Sequence, residues 1–274
     1  MILRGRTEPA AGEEPGLPIV VAHGLTAHRD LTVHGSHALP RAGHRLTLYD
    51  ARGHGASEGG ASGNHDYSTL AGDLEAVIAS QTSADGSRPI LAGHSMGAHT
   101  IVALALRDPG AYAGLVLIGP ASTGVPVPEE VLAEWDELAE GIEQGGVEGF
   151  LAAYEAHGLH PQWRETLLRI TRARLGEHEH LNTLARALRE VPRSLPFEGI
   201  GELEHLDLPA LVVASHDEAD PGHPYSVAAA YAEAIPAGRL LSESVGESPL
   251  AWQGGRLSRE IAAFAAEDAV IQRG

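Results

Sequence analysis

Five consecutive residues, Gly93-His94-Ser95-Met96-Gly97, have the types and spacing of a serine nucleophile. They follow a short apolar run at 89–92 and open a small, apolar stretch at 96–107 that reads as a buried helix. A strand that turns sharply into a helix needs small residues flanking the turn, and it leaves the serine exposed above the strand ends. The first amides of such a helix lie where they stabilise negative charge. The chemistry indicated is attack by Ser95 Oγ on an electrophilic carbon. His23-Gly24-Leu25-Thr26 ends another apolar run, and the Leu25 amide is expected to pair with the Met96 amide as an oxyanion hole. His23 itself is expected to hold loop backbone rather than to react. The segment Asp50-Ala51-Arg52-Gly53-His54-Gly55-Ala56-Ser57 mixes glycines with alternating charge, which suits a braced loop.

These groups need a scaffold. Apolar runs at 17–22, 45–49, 89–92, 114–118 and 209–214 lack polar alternation, as strands buried on both faces do. The run at 239–245 reads as a more exposed edge strand. Helical patterns lie between them: 68–81, with Leu70, Leu74, Val77 and Ile78 on one stripe, then 96–107, 226–235 and 256–266. Strand and helix in alternation imply an α/β fold with a mostly parallel sheet covered on both faces. Residues 125–206 break the rhythm with four helical windows, 128–144, 147–157, 161–175 and 180–190, and so form an inserted helical cap. The core is then 1–124 together with 207–274. Within the cap, residues 129–148 carry eight acidic residues and no Arg, whereas 164–193 carry seven Arg. Two solvated faces of opposite sign are the simplest account.

The order His-Gly-Leu-Thr, Asp-Ala-Arg-Gly-His-Gly-Ala-Ser, Gly-His-Ser-Met-Gly and then Ser215-His216-Asp217 resembles the α/β-hydrolase superfamily, in particular its cap-bearing esterase and monoacylglycerol-lipase-like members. The resemblance covers residues 17–270 and implies the α/β-hydrolase fold. Only 16 residues precede Leu17, so the edge strands common in that superfamily are expected to be abbreviated. It also implies an acid after the 209–214 strand, where Asp217 is preferred and Asp220 competes. The superfamily's catalytic His usually stands within Gly-His-Ser-Pro, but this chain has Gly246-Glu247-Ser248-Pro249, and none of its 16 His follows His223. A serine hydroxyl without a base is a poor nucleophile. Three readings stay open. Glu247 acts as the base beside Asp217, since a neighbouring carboxylate and burial both raise a carboxyl pKa. Alternatively, a His from elsewhere (His223, His23, His157 or His160) reaches Ser95. In the third, the site binds a small ligand without turning it over.

Composition narrows the partners. The formal net charge is −18, from 37 acidic and 19 basic residues, all of the latter Arg. A surface this acidic repels phosphate backbones, so nucleic acid is not expected. With no Cys, there is no thiolate metal site or Cys nucleophile. His178-Glu179-His180 puts two His on different helix faces, where i, i+4 is wanted for joint coordination, so both are expected at the surface and no metal or other cofactor is implied. No apolar run approaches the roughly 18 residues of a membrane span, and the N-terminal residues lack a signal's apolar core. A cytoplasmic serine hydrolase is expected, acting on a small neutral ester or acylglycerol through a Ser95 acyl-enzyme. If Glu247 is the base, Glu247→Gln abolishes p-nitrophenyl ester hydrolysis; a fully active variant removes it from the mechanism.

Overall fold

A computed structural model of the chain describes residues 1–11, 15–60, 64–81, 86–159, 161–216, 220–244, 252 and 255–274. The apolar runs form strands β2 (Ile19–Ala22), β3 (Leu46–Tyr49), β4 (Ile90–His94), β5 (Gly114–Ile118), β6 (Ala210–Ala214) and β7 (Gly238–Ser242). A further strand, β1 (Gly5–Glu8), precedes them. The sheet order is β1-β3-β2-β4-β5-β6-β7, with β1 antiparallel to β3 and every other pair parallel. The abbreviated edge expected from the sequence is this one short strand. Its residues are alternately exposed and half-buried, so it carries no apolar signal.

Inner-strand side chains alternate between two apolar layers. Val20, Ala22, Leu91, Leu115, Leu117 and Val212 face one layer, built with α2 (Tyr67–Ser80), α3 (Met96–Ala105) and α7 (Tyr225–Ala234). Ile19, Val21, Ile90, Ala92, Val116 and Val213 face the other, which is closed by Leu39 of α1 (Ala38–Arg41), Leu257, Ile261 and Phe264 of α8 (Gly255–Ala265), and Val270 of α9 (Asp268–Ile271). Asp66 starts α2 by accepting the Thr69 amide at 2.7 Å, which satisfies a donor the helix leaves open.

Between β5 and β6 the chain forms α4 (Glu129–Ala156), α5 (Arg164–Leu175) and α6 (Leu181–Glu190). α4 joins two of the expected helical windows across a kink at Gly146, whose φ of 59° and ψ of −139° are not helical. Leu138, Ala139 and Ile142 of α4 share the core layer with Leu184, Ala185 and Leu188 of α6. The uneven charge noted in the sequence resolves into ion pairs between α4 and residues of α5, α6 and the turn at 191–193 that follows it. Arg172 Nη2 donates to Glu148 at 2.8 Å, Arg189 Nη2 to Glu143 at 2.9 Å, and Arg193 Nη2 to Asp136 at 2.8 Å. Such exposed pairs contribute little each, on the order of 0–1 kcal/mol. Among the described residues, no helix is long and apolar enough to cross a membrane.

At the elbow, the α3 and β2 backbones approach closely. A Cβ on Gly97 would lie 2.3 Å from the Ala22 carbonyl oxygen and 2.9 Å from that of His23. A Cβ on Gly93 would lie 2.5 Å from the Gly97 carbonyl carbon. Both obstacles are backbone and cannot rotate away. Gly72, inside α2, has nothing within 4 Å of its Cβ position. Urea unfolding of Gly97→Ala is therefore expected to lose more than about 2 kcal/mol, whereas Gly72→Ala gains about 0.5–1 kcal/mol from helix propensity.

Candidate active site

Ser95 sits between β4 and α3 with φ 52° and ψ −115°. Only His34 and Ser95 have positive φ among the described non-glycine residues. The strained conformation is pinned on both sides: the Ser95 amide donates to Ile118 O at 2.9 Å, and Ser95 O accepts from the His99 amide at 3.0 Å. A non-glycine residue held there marks a position fixed by its surroundings. Met96 begins α3, so its amide belongs to the first turn, which has no carbonyl partner within the helix. The 23–26 loop is close, since a Cβ on Gly24 would lie 3.5 Å from Ser95 Cβ and 2.9 Å from His94 Nδ1.

Leu25 is held by a column of buried imidazoles. His23 Nε2 accepts the Ala51 amide at 2.9 Å, which puts its proton on Nδ1, facing Gly24 O at 2.9 Å. The His54 ring lies between the carbonyls of Arg52 and Leu25. His178 Nδ1 accepts the Gly55 amide at 2.9 Å, so its Nε2 donates to Thr26 O at 3.2 Å. Ring centroids step 5.1 Å from His23 to His54 and 5.7 Å on to His178. Burial pushes His23 well down, with the His54 charge adding to it, and pushes His178 down to about 3. Neutral rings are what the His23 and His178 hydrogen bonds need, because each uses one nitrogen as acceptor and the other as donor.

The sequence expectation for His178 is corrected here. It is 7% exposed, not a surface residue, and it ties the loop before α6 to both the 23–27 and 50–57 loops. Spacing arguments missed it because its partners are distant in the chain. His23 is the loop-holding residue expected. The 50–57 loop is braced by Asp50, which accepts the Arg29 amide at 2.8 Å and the Ala56 amide at 3.1 Å and also meets the Arg29 guanidinium.

Below Ser95, one turn along α3, His99 Nε2 accepts the amides of Ala121 and Ser122 at 2.9 and 3.0 Å. Its Nδ1 lies 3.0 Å from Tyr67 Oη. Burial pushes it down to about 3. Tyr231 Oη closes the same segment by donating to Ser122 O at 2.7 Å.

Asp217 and Glu247, together with His160, lie outside the described residues. On the described part of the loop after β6, Asp220 Oδ2 is 2.8 Å from His223 Nδ1. The His223 ring packs on His94 with centroids 5.0 Å apart, and its Cγ is 3.4 Å from the Cβ position of Gly119. Ser95 is bonded to Ile118 and His223 abuts Gly119, so both are referred to the same end of β5. His223 also acts electrostatically on His94 and His99, the residues one before and four after Ser95. Burial and the facing His223 push His94 down to about 3. Burial raises the Asp220 carboxyl, but the His223 hydrogen bond and neighbouring positive charge outweigh it and hold the group below its usual range. His157, another candidate from the sequence, bonds Glu137 at 2.8 Å within the helical insertion.

Glu243, just past β7, is a residue the sequence did not single out. It is 4% exposed and accepts Ser215 Oγ at 2.7 Å, the His216 amide at 2.6 Å and Trp252 Nε1 at 2.9 Å. It fixes the point at which the acid-bearing loop leaves β6. Among the described residues, no group of three or more His, Asp or Glu is arranged to hold a metal ion.

Comparison with known proteins agrees with this architecture. The model of the family described as serine aminopeptidase, S33 matches residues 13–143. A monoacylglycerol lipase of Mycolicibacterium smegmatis is 34% identical over 134 residues, 47% of this chain and 48% of that protein. A 2-hydroxy-6-oxononadienedioate/2-hydroxy-6-oxononatrienedioate hydrolase of Burkholderia vietnamiensis is 29% identical over 191 residues, 66% of this chain and 62% of that protein. The chain thus spans about half the length of the first of these curated relatives and somewhat more of the second. Among solved structures, the enol-lactonase from Burkholderia xenovorans superposes with a TM-score of 0.74 at 22% identity, covering 97% of this chain and 96% of that one. An esterase from Exiguobacterium antarcticum gives 0.72 at 20% identity, with 97% and 96% covered. At these identities the likeness is one of fold.

The buried imidazoles make acid a specific hazard. His99 and His178 have folded pKa values lowered to about 3, against about 6.5 when unfolded. Below that unfolded value the unfolded chain binds more protons, so the stability these residues contribute is present above about pH 6.5 and lost as pH falls towards 3. Each should cost about 2 kcal/mol at pH 5 relative to pH 8. Urea midpoints measured across that range are expected to fall accordingly, and His99→Gln is expected to make the decline shallower by about one proton.

Proposed function

The chain is a member of the α/β-hydrolase superfamily by fold and by sequence, and from that premise we propose that it hydrolyses a carboxylic ester through a Ser95 acyl-enzyme. His223 is the base and Asp220 the residue that orients it. The observation that carries this reading is the Asp220–His223 hydrogen bond of 2.8 Å, with the His223 ring against His94 beside the strained serine. Asp220 engages Nδ1, so Nε2 is the nitrogen left to take the Ser95 proton. The alkoxide attacks the ester carbonyl, and the Leu25 and Met96 amides receive the oxyanion. His223 then returns the proton to the departing alcohol, and water releases the acid by the same steps in reverse.

The helices of residues 125–206 act as a cap over the core formed by 1–124 and 207–274. The hydrogen bonds of His178 support that role, because they join the insertion to the loop bearing Leu25. Glu247, the base preferred from the sequence, yields to His223 because His223 has both an orienting carboxylate and a place beside the elbow. The relatives support ester chemistry in kind, since a monoacylglycerol lipase and an esterase are among them.

Initial rates on p-nitrophenyl esters test the assignment. Ser95→Ala is expected to abolish turnover. His223→Ala is expected to lower kcat on the order of 10³-fold or more with a smaller change in KM, and Glu247→Gln to be mild. A fully active His223→Ala enzyme overturns the assignment of the base, and equal rates for wild type and Ser95→Ala overturn the acyl-enzyme.

A further inference from the structure

The arginines of the helical insertion that form ion pairs, such as Arg172 with Glu148 and Arg189 with Glu143, are at the surface. Arg174, in the last turn of α5, is different. Its Nε is buried and has no hydrogen-bond partner among the described residues. Its contact through Nη2 is a long one, 3.4 Å to Thr171 Oγ1, one turn back on the same helix. No carboxylate among the described residues lies within salt-bridge distance of it. Arg174 is half-buried, and a guanidinium carries five donors and stays charged, so withdrawing its Nε from water without an anion is costly.

What surrounds Arg174 identifies the space it serves. Its charge acts on His94, next to Ser95, on Asp220 after β6, on Tyr154 of α4 and on His178. Of these groups, His94 adjoins Ser95 in the chain and packs on His223, which Asp220 holds, so the charge of Arg174 is felt on the side of the elbow where His94, His223 and Asp220 meet. Asp220 is committed to His223 at 2.8 Å. Elsewhere the molecule is strongly acidic, with a net charge of −18. An anionic substrate is repelled by that overall field, so its binding requires a local, desolvated cation.

We propose that Arg174 binds a carboxylate of the substrate, so that the ester hydrolysed at Ser95 carries a second, free carboxylate away from its scissile carbonyl. This replaces the neutral ester expected from composition, and it rests on Ser95 being the reacting residue. The planar fork of the guanidinium fits a carboxylate with two parallel hydrogen bonds, which a lysine cannot reproduce. The carboxylate also supplies the partner that the buried Nε lacks. The group transferred is unchanged: the acyl–oxygen bond breaks, water adds, and the free carboxylate only anchors the substrate.

Half-esters separate this from general esterase activity. Rates are measured on the mono-p-nitrophenyl esters of succinate, glutarate and adipate, with p-nitrophenyl butyrate as the neutral comparison. Wild type is expected to favour the best half-ester over the butyrate by ten-fold or more in kcat/KM. Arg174→Gln should cut that ratio by about ten- to a hundred-fold, the range for a hydrogen bond to a charged group, and Arg174→Lys should keep part of it. A ratio unchanged by Arg174→Gln, or a wild-type preference for butyrate, overturns the proposal. If wild type turns over none of these esters, the Ser95 reading has failed, and binding decides the Arg174 one. Calorimetry of monomethyl glutarate with Ser95→Ala is then expected to show binding that weakens at least ten-fold in Ser95→Ala/Arg174→Gln. Equal affinity in the two proteins, or none in either, overturns it.

Discussion

The helix that follows the elbow can lie against β2 only because positions 93 and 97 have no side chain. The Ala22 carbonyl sits 2.3 Å from where a Gly97 Cβ would be, so the α3 backbone rests directly on the β2 backbone. That contact sets how far the Met96 amide stands from the Leu25 loop, since Leu25 is only three residues past the end of β2. It also forces the turn at Ser95 to be abrupt, which puts the serine at positive φ. The strain is stabilised by the Ile118 carbonyl on one side and the His99 amide on the other. The geometry of the site is thus a consequence of sheet packing, and the loops around it adapt to that.

Those loops are held mainly by imidazoles. A neutral histidine is a compact group with one donor and one acceptor on opposite sides of a flat ring, which suits it to joining two backbone segments. His23, His178 and His99 are all used in this way, between amides and carbonyls or a tyrosine hydroxyl. These three histidines are therefore architectural. His223 differs in having a carboxylate, not a backbone group, on its Nδ1.

Much of the scaffold was legible in the sequence because strands buried on both faces are continuous apolar runs. β1 was not, since it stands at the edge of the sheet with its side chains alternately exposed and half-buried. The strand-to-helix turn at Ser95 was legible because a tight turn restricts residue type locally. His178 was not, because the amide and carbonyl it joins belong to loops far away in the chain. Arg174 was hidden for another reason: the sequence displays seven arginines and eight acids, and only the packed helices reveal that, of the arginines not ion-paired among the described residues, Arg174 is the one whose Nε is buried without a partner. In the loop after β6 the sequence favours Asp217 over Asp220; Asp217 lies outside the described residues, and the contact with His223 is what marks out Asp220.

The borders of the sheet have a bearing on how these molecules behave when crowded. A parallel sheet with two open sides offers unpaired backbone groups to any passing strand. Here β1 presents Arg6, bonded to Glu8 at 3.1 Å and also paired with Asp30, while Glu8 in turn meets His37 at 3.0 Å. At the far side, β7 presents Arg239 paired with Glu267. A strand from another molecule docking on either border would have to strip water from these ion pairs and separate or bury them. Both sides of the sheet therefore end in paired charge, and adhesion between copies along their strands is opposed at each of the places where it could begin.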